Sequence, residues 1–255
     1  MRYILFLILI FNLCLNSFSQ NDSVNGYVTV LNHSDDLKYQ SYMVDSKTHK
    51  TNLIEVFKTY EIDNNTFEIN TGKNEFSTLS FVDGTVLKLE QESEFRIDLM
   101  NVVLKNTKKF PSKIEIDSSN INLSLVEGES YFSVSKPILL QTSLSNIGLD
   151  IGRFYVQSTK KSVMIYVIDG KIDVYDNVVD KKESVLSGNA VLIRPSPTLS
   201  PKQMELFGDK MVTTVKKVKS EQFKPYLDKI LELETLKKDV VFVKIDNNII
   251  GINIK

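Results

Sequence analysis

The sequence predicts an all-β fold, a solenoid-like or β-sandwich body carrying a small C-terminal α+β appendage. Three observations predict it. Alternating apolar runs at Ser77–Val82 and Val86–Arg96 flank Asp83-Gly84-Thr85, a pairing typical of a tight β-turn. Similar grammar returns in Leu123–Val134 around Glu127-Gly128 and in Val163–Val174 around Asp169-Gly170. Clear helical 3–4 spacing is confined to Glu221–Lys238, through Phe223, Leu227, Ile230, Leu231, Leu233, Glu234 and Leu236.

The period-two runs also name a core. Leu79, Phe81, Leu87, Leu89 and Phe95 fall on one face, and Lys88, Glu90, Glu92, Glu94 and Arg96 on the other, toward water. Short strands at close spacing, without a helix between them, indicate a sandwich, a barrel or a solenoid. The recurrence of the Asp/Glu-Gly hairpin favours coils that bury one another's faces, and so a compact solenoid-like structure over a closed barrel.

The 255 residues suffice for one substantial domain with an appendage, or for two small ones. Met1-Arg2, the apolar stretch Tyr3–Leu15 and the small residues Ser17 and Ser19 match an export signal cleaved after Ser19. The apolar stretch falls short of the ~20 residues of a spanning helix. Cys14 is the only cysteine and lies inside this segment. The exported chain therefore carries no disulfide, thiol nucleophile or thiolate metal site. With 31 basic and 32 acidic residues the charge is near neutral, which removes the electrostatic case for nucleic acid. Beyond the signal no apolar run is long enough for a transmembrane segment.

The chain divides on this reading into a signal peptide (1–19), an N-terminal β segment (20–65), the regular β-domain (66–193), a Pro-rich linker (194–202) and a C-terminal helix plus hairpin (203–255). Asn21–Asn25 is a polar lead-in and Gly26–Asn32 a first strand. His33–Asp36 reads as a turn, Lys38–Val44 as a second strand, and Thr51–Ile62 as a third with a helical alternative. In the C-terminal piece Gln203–Gly208 reads as a helical turn. Met211–Val218 reads as a strand or frayed segment, and Ser220 as an N-cap with Pro225 in the first turn. Val240–Ile245 and Ile249–Ile254 form a hairpin around Asp246-Asn247-Asn248.

Five stretches resemble the FecR-like domain, in that family's order. Val82-Asp83-Gly84-Thr85-Val86 with Leu89 and Ser93 resembles its opening element, and LSLVEGESYFSV (Leu123–Val134) its next. GRFYV (Gly152–Val156), VMIYVIDGKIDVY (Val163–Tyr175) and VLSGNAV (Val185–Val191) are similar to the remaining three. The resemblance covers about Thr66–Ile193 and implies an extracytoplasmic module. Such signalling proteins carry a cytoplasmic anti-sigma segment and a transmembrane helix; this sequence has an export signal in their place. Its third element also lacks the family's threonine and is one residue shorter.

Catalytic chemistry has little to work with. A serine triad needs a histidine or a substitute lysine, and only His33 and His49 exist, both in polar stretches before the FecR-like part. Glu90, Glu92 and Glu94 lie at period two on one predicted strand face, which reads as a solvated stripe balanced by Lys88 and Arg96. Asp83, Glu127 and Asp169 precede glycines, as turn geometry explains, without the ligand density of a calcium loop. The sequence thus predicts no catalytic, cofactor or metal site. Tyr131/Phe132 and Phe154/Tyr155 alternate, so one of each pair belongs to a core and the other is free for a surface. The expected role is a non-enzymatic binding or scaffolding module of the bacterial cell envelope, periplasmic, secreted or surface-held, in signalling. Its expected partner is an envelope protein, reached through open strand edges or the amphipathic helix. The alternative is a carbohydrate- or peptidoglycan-binding module, with a glycan as ligand.

Overall fold

The structure, a computed structural model, describes residues 23–34, 37–43, 46–56, 58–62, 65–104, 112–114, 116–176, 181–195, 211–238, 240–245 and 248–253. The expected signal with its cleavage site, residues 196–202 of the linker, Gln203–Gly208, and Asp246 and Asn247 of the expected hairpin turn lie outside them, as do Asp63 and Asn64, which the sequence marks as a turn with Asn65.

In chain order the strands are β1 (Ser23–His33), β2 (Lys38–Met43), β3 (Ser46–Leu53), β4 (Thr59–Ile62), β5 (Asn65–Asn70), β6 (Ser77–Phe81) and β7 (Val86–Leu89). They continue as β8 (Glu94–Leu104), β9 (Ser112–Lys113), β10 (Ile116–Val134), β11 (Ile138–Thr142), β12 (Asn146–Leu149), β13 (Gly152–Ser158) and β14 (Val163–Asp169). After β15 (Lys171–Asp176), β16 (Lys181–Leu186), β17 (Asn189–Pro195) and β18 (Met211–Lys217) come helix α1 (Ser220–Lys237) and the hairpin β19 (Val240–Ile245) and β20 (Asn248–Asn253).

Two sheets hold the body. The first runs β3-β2-β5-β8-β10-β11-β12-β15-β16, and the second β4-β1-β6-β7-β10-β13-β14-β17-β18. Strands β1 and β10 belong to both. Residues 23–25 of β1 pair with β8 and residues 26–29 with β4. Ile116–Glu127 of β10 pair with β8, while Gly128–Val134 pair with β13. The two shared strands close the pairing into a flattened barrel, where coils without closure were expected. Glycine permits the bend. Gly128 has φ +112°, a region that side chains with a Cβ avoid, and a Cβ on Gly26 would lie 1.9 Å from Met100 Cγ.

Of the three Asp/Glu-Gly units only the first is a hairpin. Gly84 N–H donates to Phe81 O at 2.9 Å and Thr85 N–H to Asp83 Oδ1 at 2.9 Å, while β6 and β7 pair directly. Glu127-Gly128 is instead the corner inside β10. Asp169-Gly170 carries the chain from the second sheet, where β14 lies between β13 and β17, to the first, where β15 lies between β12 and β16. Positive φ is what the dipeptide supplies; whether the next strand pairs back or changes sheet is set by which neighbours its apolar face can cover.

Between the sheets Phe81, Phe95, Phe132 and Phe154 are wholly buried, with Leu79, Leu87 and Leu89 as the alternation requires. Burying each such side chain contributes about 1.5–3 kcal/mol. The expected charged stripe is broken. The chain turns at Gln91-Glu92, with Glu92 at φ +55°, so Glu90, Glu92 and Glu94 do not share one strand. Of that face only Glu92 is exposed: Glu90 pairs with Lys229 of α1 and with Lys88, and Arg96 stands across from Glu68 in register.

Smaller departures follow the same logic. Ser23–Asn25, expected as a lead-in, pair with Asn101–Val103, and His33 closes β1 instead of opening a turn. The expected third strand resolves into β3 and β4, with residues 54–56 and 58 outside either strand. Helix α1 begins at Ser220, so Lys219 takes the cap position without a side-chain cap bond. Pro225 is then the sixth helical residue, in the second turn, where it withholds an N–H from the Glu221 carbonyl.

The C-terminal piece is built into the body. Phe242 and Ile249 of the hairpin join the main core. Gly251 N–H donates to Thr59 Oγ1 at 2.8 Å, and a Cβ there would fall 2.4 Å from Thr29 Oγ1. β19 also pairs with β9 to form a three-stranded sheet.

Candidate functional site

Helix α1 lies on the outer face of the second sheet. Tyr131, Tyr155 and Tyr166 stand in register on β10, β13 and β14, and present one aromatic row to it. Tyr226 of α1 packs into the row, 4.5 Å from the Tyr155 ring centroid and 4.8 Å from that of Tyr166. Phe223 meets Tyr166 edge-on at 5.8 Å, and Ile230 and Leu233 complete a second apolar cluster with Leu31 and Val86. The alternation is thus used on both faces: Phe132 and Phe154 go to the main core, while Tyr131 and Tyr155 go beneath the helix. Burial, with Glu129 beside it, pushes the Tyr155 hydroxyl well above its usual range.

Ion pairs rim this seam. Arg153 of β13 makes a two-point contact with Glu234 of α1, Nε to Oε1 at 2.9 Å and Nη2 to Oε2 at 3.1 Å, and Ser133 Oγ donates to the same carboxylate at 2.7 Å. The Arg153 guanidinium holds the Glu234 carboxyl below its ordinary value. At the other side Lys229 donates to Glu90 at 2.9 Å and lies over the Tyr131 ring at 4.8 Å. Burial opposes ionisation of Glu90, yet Lys229 and Lys88 together hold it below the usual carboxylate range.

Beyond the last turn of α1 a cleft of about 640 Å³ opens between the Asp83-Gly84 turn and β19. Ile114, Ile116, Val240 and Phe242 form an apolar wall, and Lys136, Lys237 and Lys238 bring three cationic groups to it. Lys237 Nζ donates to Ser135 Oγ at 3.1 Å, and Ser135 Oγ donates to Gly84 O at 2.8 Å. Beneath them Asp83 is buried. Its carboxylate accepts from Thr85 N–H, Thr85 Oγ1 at 3.2 Å and Ser119 Oγ at 3.3 Å, and burial pushes its pKa up. Burial also lowers the Lys237 ammonium, against the pull of Asp83 and Glu234.

Ser135 and Lys237 stand at the distance of a nucleophile and a base. Their hydrogen bonds run the other way, with the lysine donating and the hydroxyl proton committed to a carbonyl, so the pair orders the cleft floor. The residues considered from sequence do not converge on it. His33 Nδ1 bonds the neighbouring Ser34 O, and His49 lies in β3 with its side chain outside the described residues. Of Asp83, Glu127 and Asp169 only Asp83 reaches the cleft; Glu127 faces Lys160 at 4.0 Å and Asp169 faces Arg153 at 3.4 Å. Among the described residues no three His, Cys, Asp or Glu side chains group as metal ligands.

Residues 67–173 match the model of the FecR protein family. The chain carries a FecR domain. The match runs from β5 into β15 and spans the Asp83-Gly84 hairpin, the β10 corner and the tyrosine row. No curated protein matches the chain. It is similar to the crystal structure, at 2.50 Å resolution, of a candidate anti-sigma factor from Parabacteroides distasonis, with a TM-score of 0.43 and 13% identity over 74% of this chain and 99% of that one. A second candidate anti-sigma factor structure from that organism, at 1.65 Å resolution, has a TM-score of 0.36 and 15% identity over 73% and 98% of the two chains.

The cleft straddles the boundary of the FecR domain. Asp83, Gly84, Ser135 and Lys136 belong to it, whereas Lys237, Lys238, Val240 and Phe242 come from beyond its matched end. That junction was invisible in sequence, since some hundred residues separate Ser135 from Lys237 and neither carries a motif; the only local signal was lysine in the last turn of α1, which the helix dipole favours. Among the described residues no helix is long and apolar enough to cross a membrane.

Proposed function

We propose that this is an exported, non-enzymatic FecR-domain module that docks another protein of the bacterial envelope and serves signalling there. The observation that carries the reading is the pair of strands, β16 and β18, that end the two sheets on the side away from β3 and β4. Each pairs on one side only among the described residues, so each offers backbone donors and acceptors to an incoming strand. The matched family supports the signalling context. The other expected docking element drops out: the apolar face of α1 is spent on the tyrosine row. The glycan alternative lacks an aromatic platform in these rings, because Phe132 and Phe154 are in the core and Tyr131 and Tyr155 lie beneath α1.

The test is crosslinking in the native envelope followed by pull-down through a tag after Lys255. A protein partner recovered reproducibly, and lost when proline is placed singly at Thr214, Val215 or Lys216 without a change in melting temperature, supports edge docking. Recovery of the protein alone, or with glycan, overturns it.

A further inference from the structure

We infer that the cleft at the end of α1 binds an extended peptide segment of a partner protein, one carrying an acidic side chain beside apolar ones. The inference rests on the docking reading and names a second contact for it. The volume, about 640 Å³, falls within the range of pockets that enclose ligands. One wall is apolar, formed by Ile114, Ile116, Val240 and Phe242.

Charge decides the ligand's sign. Five ionisable groups line the cleft, and the two acids among them are already committed. Glu234 is held by Arg153 and Ser133, and Asp83 is buried with three donors on its carboxylate. Among the described residues the lysines hold no such ion pair, although Asp83 and Glu234 attract Lys237 from beyond ion-pair distance. Lys136 Nζ donates to the Asp117 carbonyl at 3.1 Å and Lys237 Nζ to the Ser135 hydroxyl, and among the described residues neither has a carboxylate at ion-pair distance. A half-buried ammonium whose acceptor is a neutral hydroxyl gains most from an incoming carboxylate, and Lys136 and Lys238 extend the same field along the cleft. The wall opposite asks for aliphatic or aromatic side chains. An acidic and apolar peptide meets both demands.

The experiment selects heptapeptides from a random displayed library on the full exported chain, then measures the enriched peptides by fluorescence anisotropy. Asp or Glu next to a large apolar residue is the expected consensus. Affinity should fall at least tenfold in K136E/K238E, whose half-buried and exposed side chains leave the core untouched, and should weaken as salt rises. Lys237→Met should lose binding as well, provided its melting curve matches the parent. Enrichment of peptides without acids, equal binding to K136E/K238E, or no enrichment overturns the inference. A partner recovered by native crosslinking with equal yield from K136E/K238E would also overturn it while leaving edge docking intact.

Discussion

Ser93 and Gly128 are packed so closely that a β-carbon on residue 128 would lie 2.4 Å from the Ser93 Cα. Ser93 Oγ accepts from Glu129 N–H at 3.1 Å and donates to Glu129 O at 3.3 Å, a carbonyl that Glu90 N–H also meets at 3.0 Å, so the hydroxyl holds the backbone where β10 leaves the first sheet. The corner that closes the barrel therefore rests on one small and one missing side chain.

Gly128→Ala is expected to abolish folding, because both the positive φ and the contact with Ser93 resist a methyl group. Ser93→Ala should be milder, at about 1–3 kcal/mol for the stranded Glu129 N–H, since the Glu129 carbonyl keeps its bond from Glu90 N–H. Denaturant melts of the two variants check the order. A Gly128→Ala protein as stable as its parent would remove the corner from the account of the fold.

Glu234 predicts an acid-side loss of stability. Its folded-state pKa lies below the unfolded value because of Arg153, so its contribution is present above that unfolded value, about 4.3, and is lost as pH falls through the lower folded one. The pair is partly exposed, which limits the contribution to about 1–2 kcal/mol. Urea midpoints between pH 3 and pH 6 should show this fall in the parent and a shallower one in Glu234→Gln.

Asp83 has the opposite sign. Burial raises its folded pKa, so the folded state holds the proton more tightly and stability falls as pH rises from about 3.9 through the raised value. Asp83→Asn keeps an acceptor for Thr85 N–H and removes that fall. Relative to the parent it should gain stability between pH 4 and pH 7, while Asp83→Ala, which strands the Thr85 donor, should lose it at every pH.

These residues also mark what the sequence could and could not convey. Period-two alternation named Leu79, Phe81, Leu87, Leu89 and Phe95 as core, and glycine after an acid marked three of the changes of direction, at Gly84, Gly128 and Gly170. It did not tell a hairpin at Gly84 from sheet-changing corners at Gly128 and Gly170, since both use the same positive φ. Tyr131 and Tyr155 were legible as the outward partners of Phe132 and Phe154, but their cover was not. It comes from α1, some seventy residues and more further along, and no local pattern encodes which sheet face a helix will choose. The cleft depends on the same long-range docking and was hidden for the same reason.

The last prediction concerns the helix as part of the core. Ile230 is wholly buried against Leu31, Val86, Tyr131 and Tyr155, so Ile230→Ala should cost about 2–5 kcal/mol, as for other large-to-small core changes. The chain has no tryptophan, and four of its ten tyrosines, Tyr131, Tyr155, Tyr166 and Tyr226, sit in this seam, so a change in the near-ultraviolet tyrosine signal on mutating the seam reports its packing. That signal should weaken in Ile230→Ala before the far-ultraviolet strand signal does, because the helix loosens from a sheet that still pairs. Removing residues 220–255 entirely should expose the tyrosine row and leave a chain that self-associates. A soluble, monomeric truncation with native strand content would instead show that the second sheet stands without its cover and that α1 is a detachable element.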